Sequence, residues 1–191
     1  MKPFLAIALF FLAMSSAVAA PAQTATPVPS FIAPSDLALA TVRPKWPADD
    51  TLEGRADLEA VLAFQAYRSA AQEAEGDRDA ALGPVEWAQS VLGSQFNAQA
   101  YPLTVALLMA VHEDMRAINR AANDVHGLRP RPAIRDQRVK PSLPNVSQAD
   151  SPSYPSARTA SSLVWASVLS EIFPDSRAAL FAAADRTAWL R

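Results

Sequence analysis

Apolar residues recur at spacings of three and four over most of the chain, and no stretch alternates strictly between apolar and polar positions. The stripe of Leu52, Leu58, Val61, Leu62, Phe64, Ala66 and Tyr67 predicts an amphipathic helix whose apolar face is plain core. A second, short helix is predicted from Pro84 to Leu92, because proline suits a first helical turn where no N–H is needed, and Gly93 ends it. The longest helix is predicted from Pro102 to Ala122. Leu103, Ala106, Leu107, Ala110, Val111, Met115 and Ile118 form its apolar face, and Arg116, Asn119 and Arg120 fall largely on the other side. Two more helices follow, Thr159 to Ile172 and Asp175 to Arg191, divided by Phe173-Pro174 with Asp175 as N-cap. Trp165, Phe173 and Trp189 are expected to pack in the core. With no strand pattern and no internal repeat, the fold class is all-α.

Other stretches resist helix. Pro21, Pro27, Pro29, Pro34, Pro44 and Pro47 fix too many φ angles and remove too many donors, so residues 20–50 are predicted to form an extended lead-in. From Arg129-Pro130-Arg131-Pro132 to Pro155 the chain is rich in Pro, Ser and Asp. That composition predicts a loop of roughly two dozen residues, and long irregular loops in compact domains are often functional. The opening residues, Met1-Lys2, an apolar run from Phe4 to Met14 and then Ser15 to Ala20, have the order of a secretory signal peptide cleaved after Ala19. The apolar run is shorter than the roughly 18 to 20 residues that span a bilayer. The expected parts are a signal peptide at 1–19, the lead-in at 20–50 and one helical domain at 51–191. The mature protein is expected to be periplasmic or secreted, with no membrane span.

Composition narrows the chemistry. A net charge of −2 without any Lys/Arg block argues against a nucleic-acid partner. The absence of cysteine excludes thiolate catalysis, iron–sulfur clusters and Cys-ligated zinc, and leaves packing alone to hold an exported chain together. Imidazole chemistry is confined to His112 and His126.

Tyr154-Pro155-Ser156-Ala157-Arg158-Thr159, just ahead of an apolar helix, resembles the P-S-G-H-T segment of bacterial class A non-specific acid phosphatases and of the wider type 2 phosphatidic acid phosphatase superfamily. Upstream, Arg129-Pro130-Arg131-Pro132 resembles the arginine-proline end of that family's K-x6-R-P motif. Trp189-Leu190-Arg191 resembles the start of its third motif, S-R-x5-H-x3-D, cut off at the arginine. The 22 residues from 133 to 154 and the 31 from 159 to 189 suit the family's spacing. Weaker likeness reaches back to Phe31 through Ala56-Asp57-Leu58 and Gln65-Ala66-Tyr67-Arg68. The resemblance implies a single-domain helical bundle of the type 2 phosphatidic acid phosphatase and vanadium haloperoxidase type, incomplete at its C-terminal end. It also implies phosphomonoester hydrolysis without metal or other cofactor. In such enzymes a histidine attacks phosphorus, an aspartate orients it, and Lys, Arg and backbone N–H groups neutralise the equatorial oxygens.

Residue by residue, Arg131 matches the first motif, Pro155 and Ser156 the second, and Arg191 the third. The motif lysine falls on Asp124, or on Asn123 with a one-residue gap, and neither replaces an ammonium. Ala157 stands for the glycine. Arg158 stands for the histidine that protonates the leaving group, and a guanidinium lends no proton at working pH. By the resemblance, the positions of the family's nucleophilic histidine and its aspartate partner would fall past Arg191, the last residue of the sequence. The expected function is therefore an acid phosphatase-like secreted protein, impaired or inactive as written, with His126 the one catalytic candidate left. Its phosphate site would comprise Arg129, Arg131, Ser156, Ala157, Arg158 and Arg191, with phosphate or a phosphomonoester as ligand. The alternatives are an active phosphomonoesterase whose reading frame continues, and a non-catalytic periplasmic anion-binding or protein-interaction module. Without a covering helix, the apolar face around Leu163, Leu169, Phe181 and Trp189 is expected to stay open and to drive self-association.

Overall fold

A computed structural model describes residues 31–38, 44–141 and 152–190. The expected signal peptide and Arg191 lie outside the described residues. Seven α-helices and no strand are present among them, so the chain is all-α. They are α1 (Leu52–Tyr67), α2 (Ala70–Ala81), α3 (Pro84–Leu92), α4 (Pro102–His126), α5 (Pro132–Arg135), α6 (Ala157–Ile172) and α7 (Arg177–Trp189).

Local chemistry sets most boundaries. Thr51 caps α1 by accepting the Gly54 N–H at 3.0 Å. Ser69 and Gln72 form a capping box on α2: the Ser69 N–H donates to Gln72 Oε1 at 2.8 Å and the Gln72 N–H to Ser69 Oγ at 3.3 Å. Apolar periodicity does not reveal α2, because its sequence, AAQEAEGDRDAA, carries no apolar stripe. Alanine propensity and the capping box make it instead. Pro84 opens α3 and Gly93, at φ 87°, closes it as expected. The longest helix runs past Ala122 to His126, where Gly127 turns the chain at φ 78°. Asp175 is not the N-cap of α7. Residues Pro174–Ser176 form a 3₁₀ turn, and Ser176 precedes the helix without a side-chain cap bond. Inside the predicted long loop, Arg131-Pro132 starts the single turn α5.

The core joins Trp87 and Ala88 of α3, Phe96, Leu108 of α4, Trp165, Ala166 and Leu169 of α6, and Leu180 and Ala184 of α7. Helix α6 is central, packing on α3, α4 and α7. Its buried face carries Ser161, Ser162, Ala166 and Ser170, small enough for close approach. The hydroxyls cost little to bury: Ser162 donates to the Thr159 carbonyl at 3.0 Å and Ser170 to that of Ser167 at 2.9 Å.

Two helices present other faces than the periodicity predicts. On α4 the buried positions are Leu108, Asp114, Ala117, Asn119 and Ala122, while Leu103 is 85% exposed. The helix turns a more polar face to the body than its apolar spacing indicates, and two of the buried polar groups there find partners. Asn119 Nδ2 donates to the Met115 carbonyl at 2.9 Å, and Asp114 Oδ2 accepts the Phe31 N–H at 2.8 Å, fastening the lead-in to the body. The stripe on α1 is not core. Only Gly54 is buried there, with Phe64 62% and Tyr67 88% exposed, because polar side chains rather than apolar ones dock this helix. The face expected to stay open is open only in part. Leu169 is fully buried and Phe181 half-buried beneath the Arg177 guanidinium, 5.2 Å from the ring centroid. Leu163 and Trp189 are exposed, which corrects the core assignment of Trp189.

Candidate functional site

A cavity of about 200 Å³ lies where α1, the start of α2, residues 131–141 and the last turn of α7 meet. Arg68, Arg131 and Lys140 line it, and among the described residues no carboxylate, histidine or hydroxyl does. Its apolar walls come chiefly from Val61 and Phe64 of α1, Val139, Pro141, Trp189 and Leu190.

The walls are held by the side chain of Gln65. Its Nε2 donates to the Arg138 carbonyl at 3.0 Å and its Oε1 accepts the Lys140 N–H at 2.6 Å, so one amide pins the 138–140 backbone against α1. Arg138 braces the same segment through Asp136 at 2.7 Å and Glu59 at 3.1 Å; its guanidinium holds the Asp136 carboxyl below the usual carboxylate range. Arg68 sits in extended backbone between α1 and α2. Its guanidinium pairs with Glu73 at 2.5 Å and reaches the Lys140 carbonyl at 3.3 Å, while its Nε is buried with no acceptor. A buried donor left so costs about 1–3 kcal/mol.

Of the residues singled out in the sequence, Arg131 lines this cavity together with Trp189-Leu190, which precede Arg191; Arg191 itself lies outside the described residues. Ser153, which directly precedes the Tyr154–Thr159 segment, lies beside Arg129-Pro130: its N–H donates to the Arg129 carbonyl at 3.0 Å and its hydroxyl to that of Pro130 at 3.1 Å. The other polar side chains turn elsewhere. Arg129 pairs with Asp57, where it is joined by Arg135, which contacts Asp57 at 3.5 Å and Asp49 at 2.5 Å. Ser156 caps α6, accepting the Thr159 N–H at 3.4 Å and donating to Thr159 Oγ1 at 2.9 Å. Ala157 is exposed, and Asp124 points to solvent from the last turn of α4. His126 ends α4, half-buried and away from the cavity lining, with Nε2 buried and unpartnered. Lys140 is a lining cation that motif matching passes over, and Arg68 enters it only within the weaker Gln65–Arg68 likeness, with no role assigned. The fold alone brings positions 68, 131 and 140 together.

Arg158 belongs to a network in the body. It contacts Asp79 Oδ2 at 3.4 Å, donates to the Leu82 carbonyl at 2.6 Å and to that of Asp79, and lies 5.5 Å from the Trp165 ring centroid. Asp79 Oδ1 accepts from Thr187 Oγ1 at 2.9 Å, and Thr187 in turn accepts from Trp87 Nε1 at 3.2 Å. His112 touches Trp165 as well, at 5.4 Å between centroids, with Nδ1 buried and unpartnered. Burial pushes its pKa below the ordinary value, and the Arg116 and Arg158 cations add to the depression against an opposing pull from Glu113.

The folded state therefore holds less proton on His112 than the unfolded chain. Its contribution to stability is complete above the unfolded pKa of about 6.5 and is lost as pH falls towards the depressed folded value. His112→Gln is expected to shrink the loss of melting temperature between pH 8 and pH 5. An unchanged pH dependence in that variant refutes the assignment.

The chain matches no family model and no curated protein. Chemically, the cavity offers fixed positive charge beside an apolar surface.

Proposed function

We propose that this chain is an exported, phosphatase-related protein that binds small phosphate-bearing anions and does not hydrolyse them. One observation carries the reading: Arg68, Arg131 and Lys140 line the cavity, and among the described residues no imidazole, carboxyl, thiol or hydroxyl group joins them in the lining, Glu73 pairing with Arg68 from outside it. Guanidinium and ammonium donors bind phosphate oxygens well. Ester hydrolysis also needs a nucleophile and a proton donor, and this lining supplies neither. The kinship is supported by Arg131 on the same cavity as Trp189-Leu190, and by Ser153, just ahead of the Tyr154–Thr159 segment, beside Arg129-Pro130. Arg158, at the position of the motif's proton donor, is engaged with Asp79 instead. Export rests on the order of charge, apolar run and small residues from Met1 to Ala20.

Thermal unfolding with and without inorganic phosphate tests the binding. At a hundredfold excess over Kd the expected rise in Tm is about 5–10 °C, from about 2.7 kcal/mol of linkage in a chain of this size, and Arg131→Ala should lose most of it. A wild-type Tm indifferent to phosphate rejects the reading. Phosphorus NMR of an aryl phosphate incubated with the protein is expected to show no turnover above buffer. Turnover that disappears in His126→Ala would restore a catalytic assignment.

A further inference from the structure

We infer that the cavity takes an oxyanion carried on a single aromatic ring, and that Phe64 and Trp189 hold that ring. The inference rests on the anion-binding reading above and narrows its ligand.

Three observations converge on it. First, Phe64 on α1 and Trp189 on α7 reach the same cavity from separate helices and stay 62% and 53% exposed, whereas Trp87, Trp165 and Phe96 are buried almost completely. Tyr67 and Phe31 are exposed too, but among the described aromatic residues only Phe64 and Trp189 line the cationic hollow. Aromatic faces beside guanidinium groups suit a flat ring bearing negative charge, since the ring stacks while the charge meets its donors.

Second, volume limits the ligand. An apolar cavity of about 150 Å³ admits benzene, and sites for drug-sized molecules run from about 300 to 1,000 Å³. At about 200 Å³ this cavity has room for one ring and one oxyanion group. A purine nucleotide exceeds that space.

Third, Arg68, Arg131 and Lys140 bring three cationic side chains to the lining that Phe64 and Trp189 share. An oxyanion on the ring would meet that positive charge while the ring lies on the aromatic side. Phosphate and carboxylate share that chemistry. A dianion gains more from Arg68, Arg131 and Lys140 than a monoanion does, so an aryl phosphate is expected to outrank an aryl carboxylate.

Isothermal titration of the protein with inorganic phosphate, phenyl phosphate, benzoate and adenosine monophosphate tests this. Phenyl phosphate is expected to bind about tenfold more tightly than inorganic phosphate, in line with one stacked ring. Phe64→Ala and Trp189→Ala should each bring phenyl phosphate close to the inorganic phosphate value measured on the same variant. Arg131→Ala should weaken both ligands. If wild-type protein binds phosphate and phenyl phosphate equally, the ring assignment fails and the anion site stands. If neither binds, both readings fail. Benzoate matching phenyl phosphate overturns the preference for phosphate, and adenosine monophosphate exceeding phenyl phosphate overturns the single-ring limit.

Discussion

Asp79→Ala is expected to destabilise the protein by about 3 kcal/mol, the low end of the range for breaking a buried ion pair, which lowers Tm by about 6–12 °C at this chain length. The substitution takes the carboxylate from Arg158 and the acceptor from Thr187, both in the interior of the body formed by α3, α4, α6 and α7. The loss stays at the low end because Arg158 keeps the Leu82 and Asp79 carbonyls. Asp79→Asn, which retains an oxygen for Thr187 and loses only the charge, should cost about half as much. Combining Asp79→Leu with Arg158→Met removes both members, and exchanging a buried pair for apolar groups of similar volume is often neutral. Chemical denaturation of the four proteins reads this directly. A loss below about 1 kcal/mol for Asp79→Ala would show that the pair contributes little beyond what an exposed one does.

Trp165→Ala should cost about 3–5 kcal/mol, the range for deleting a fully buried large aromatic side chain. The ring has no solvent exposure and meets Trp87 at 5.6 Å, His112 at 5.4 Å and Arg158 at 5.5 Å, so α3, α4 and α6 all converge on it. Trp165→Phe separates packing from polarity. Trp165 Nε1 is buried without an acceptor, so phenylalanine removes an unsatisfied donor while keeping most of the ring. Its cost should fall below about 1.5 kcal/mol, as for other volume-similar apolar exchanges. Urea unfolding that ranks the phenylalanine variant as low as the alanine variant would contradict this account.

Helix class and most helix positions are legible in the sequence because proline and glycine punctuate it. Pro84 and Gly93 bound α3, and Gly127 stops α4 a turn beyond the point that apolar spacing alone indicates. Orientation is harder to read. Periodicity finds a stripe on α1 and a face on α4 without saying whether a partner exists for either. On α4 a face bearing Asp114 and Asn119 is buried because those groups find backbone partners, while the more apolar Leu103 stays in solvent. Residue counting hides α2 altogether, since capping and alanine content rather than amphipathicity form it. Arg131 is the one sequence-selected cation among the described residues that reaches the cavity. Arg129 and Arg158 have the same guanidinium chemistry and pair with Asp57 and Asp79 away from the cavity. Only tertiary placement separates an arginine that lines a cavity from one that does not.

The mode by which α1 is held has a consequence for the surroundings in which the protein works. Its outer tie, Glu59 to Arg138, is solvent-exposed on both sides, whereas the pairs that Arg129 and Arg135 make with Asp57 and Asp49 are enclosed on the arginine side and open on the carboxylate side. Dissolved electrolyte with a Debye length of about 8 Å at physiological strength weakens attractions of the first kind more than those of the second. In brine the helix should therefore loosen first where Glu59 meets Arg138, beside the Val61 and Phe64 wall, and stay anchored at its N-terminal end.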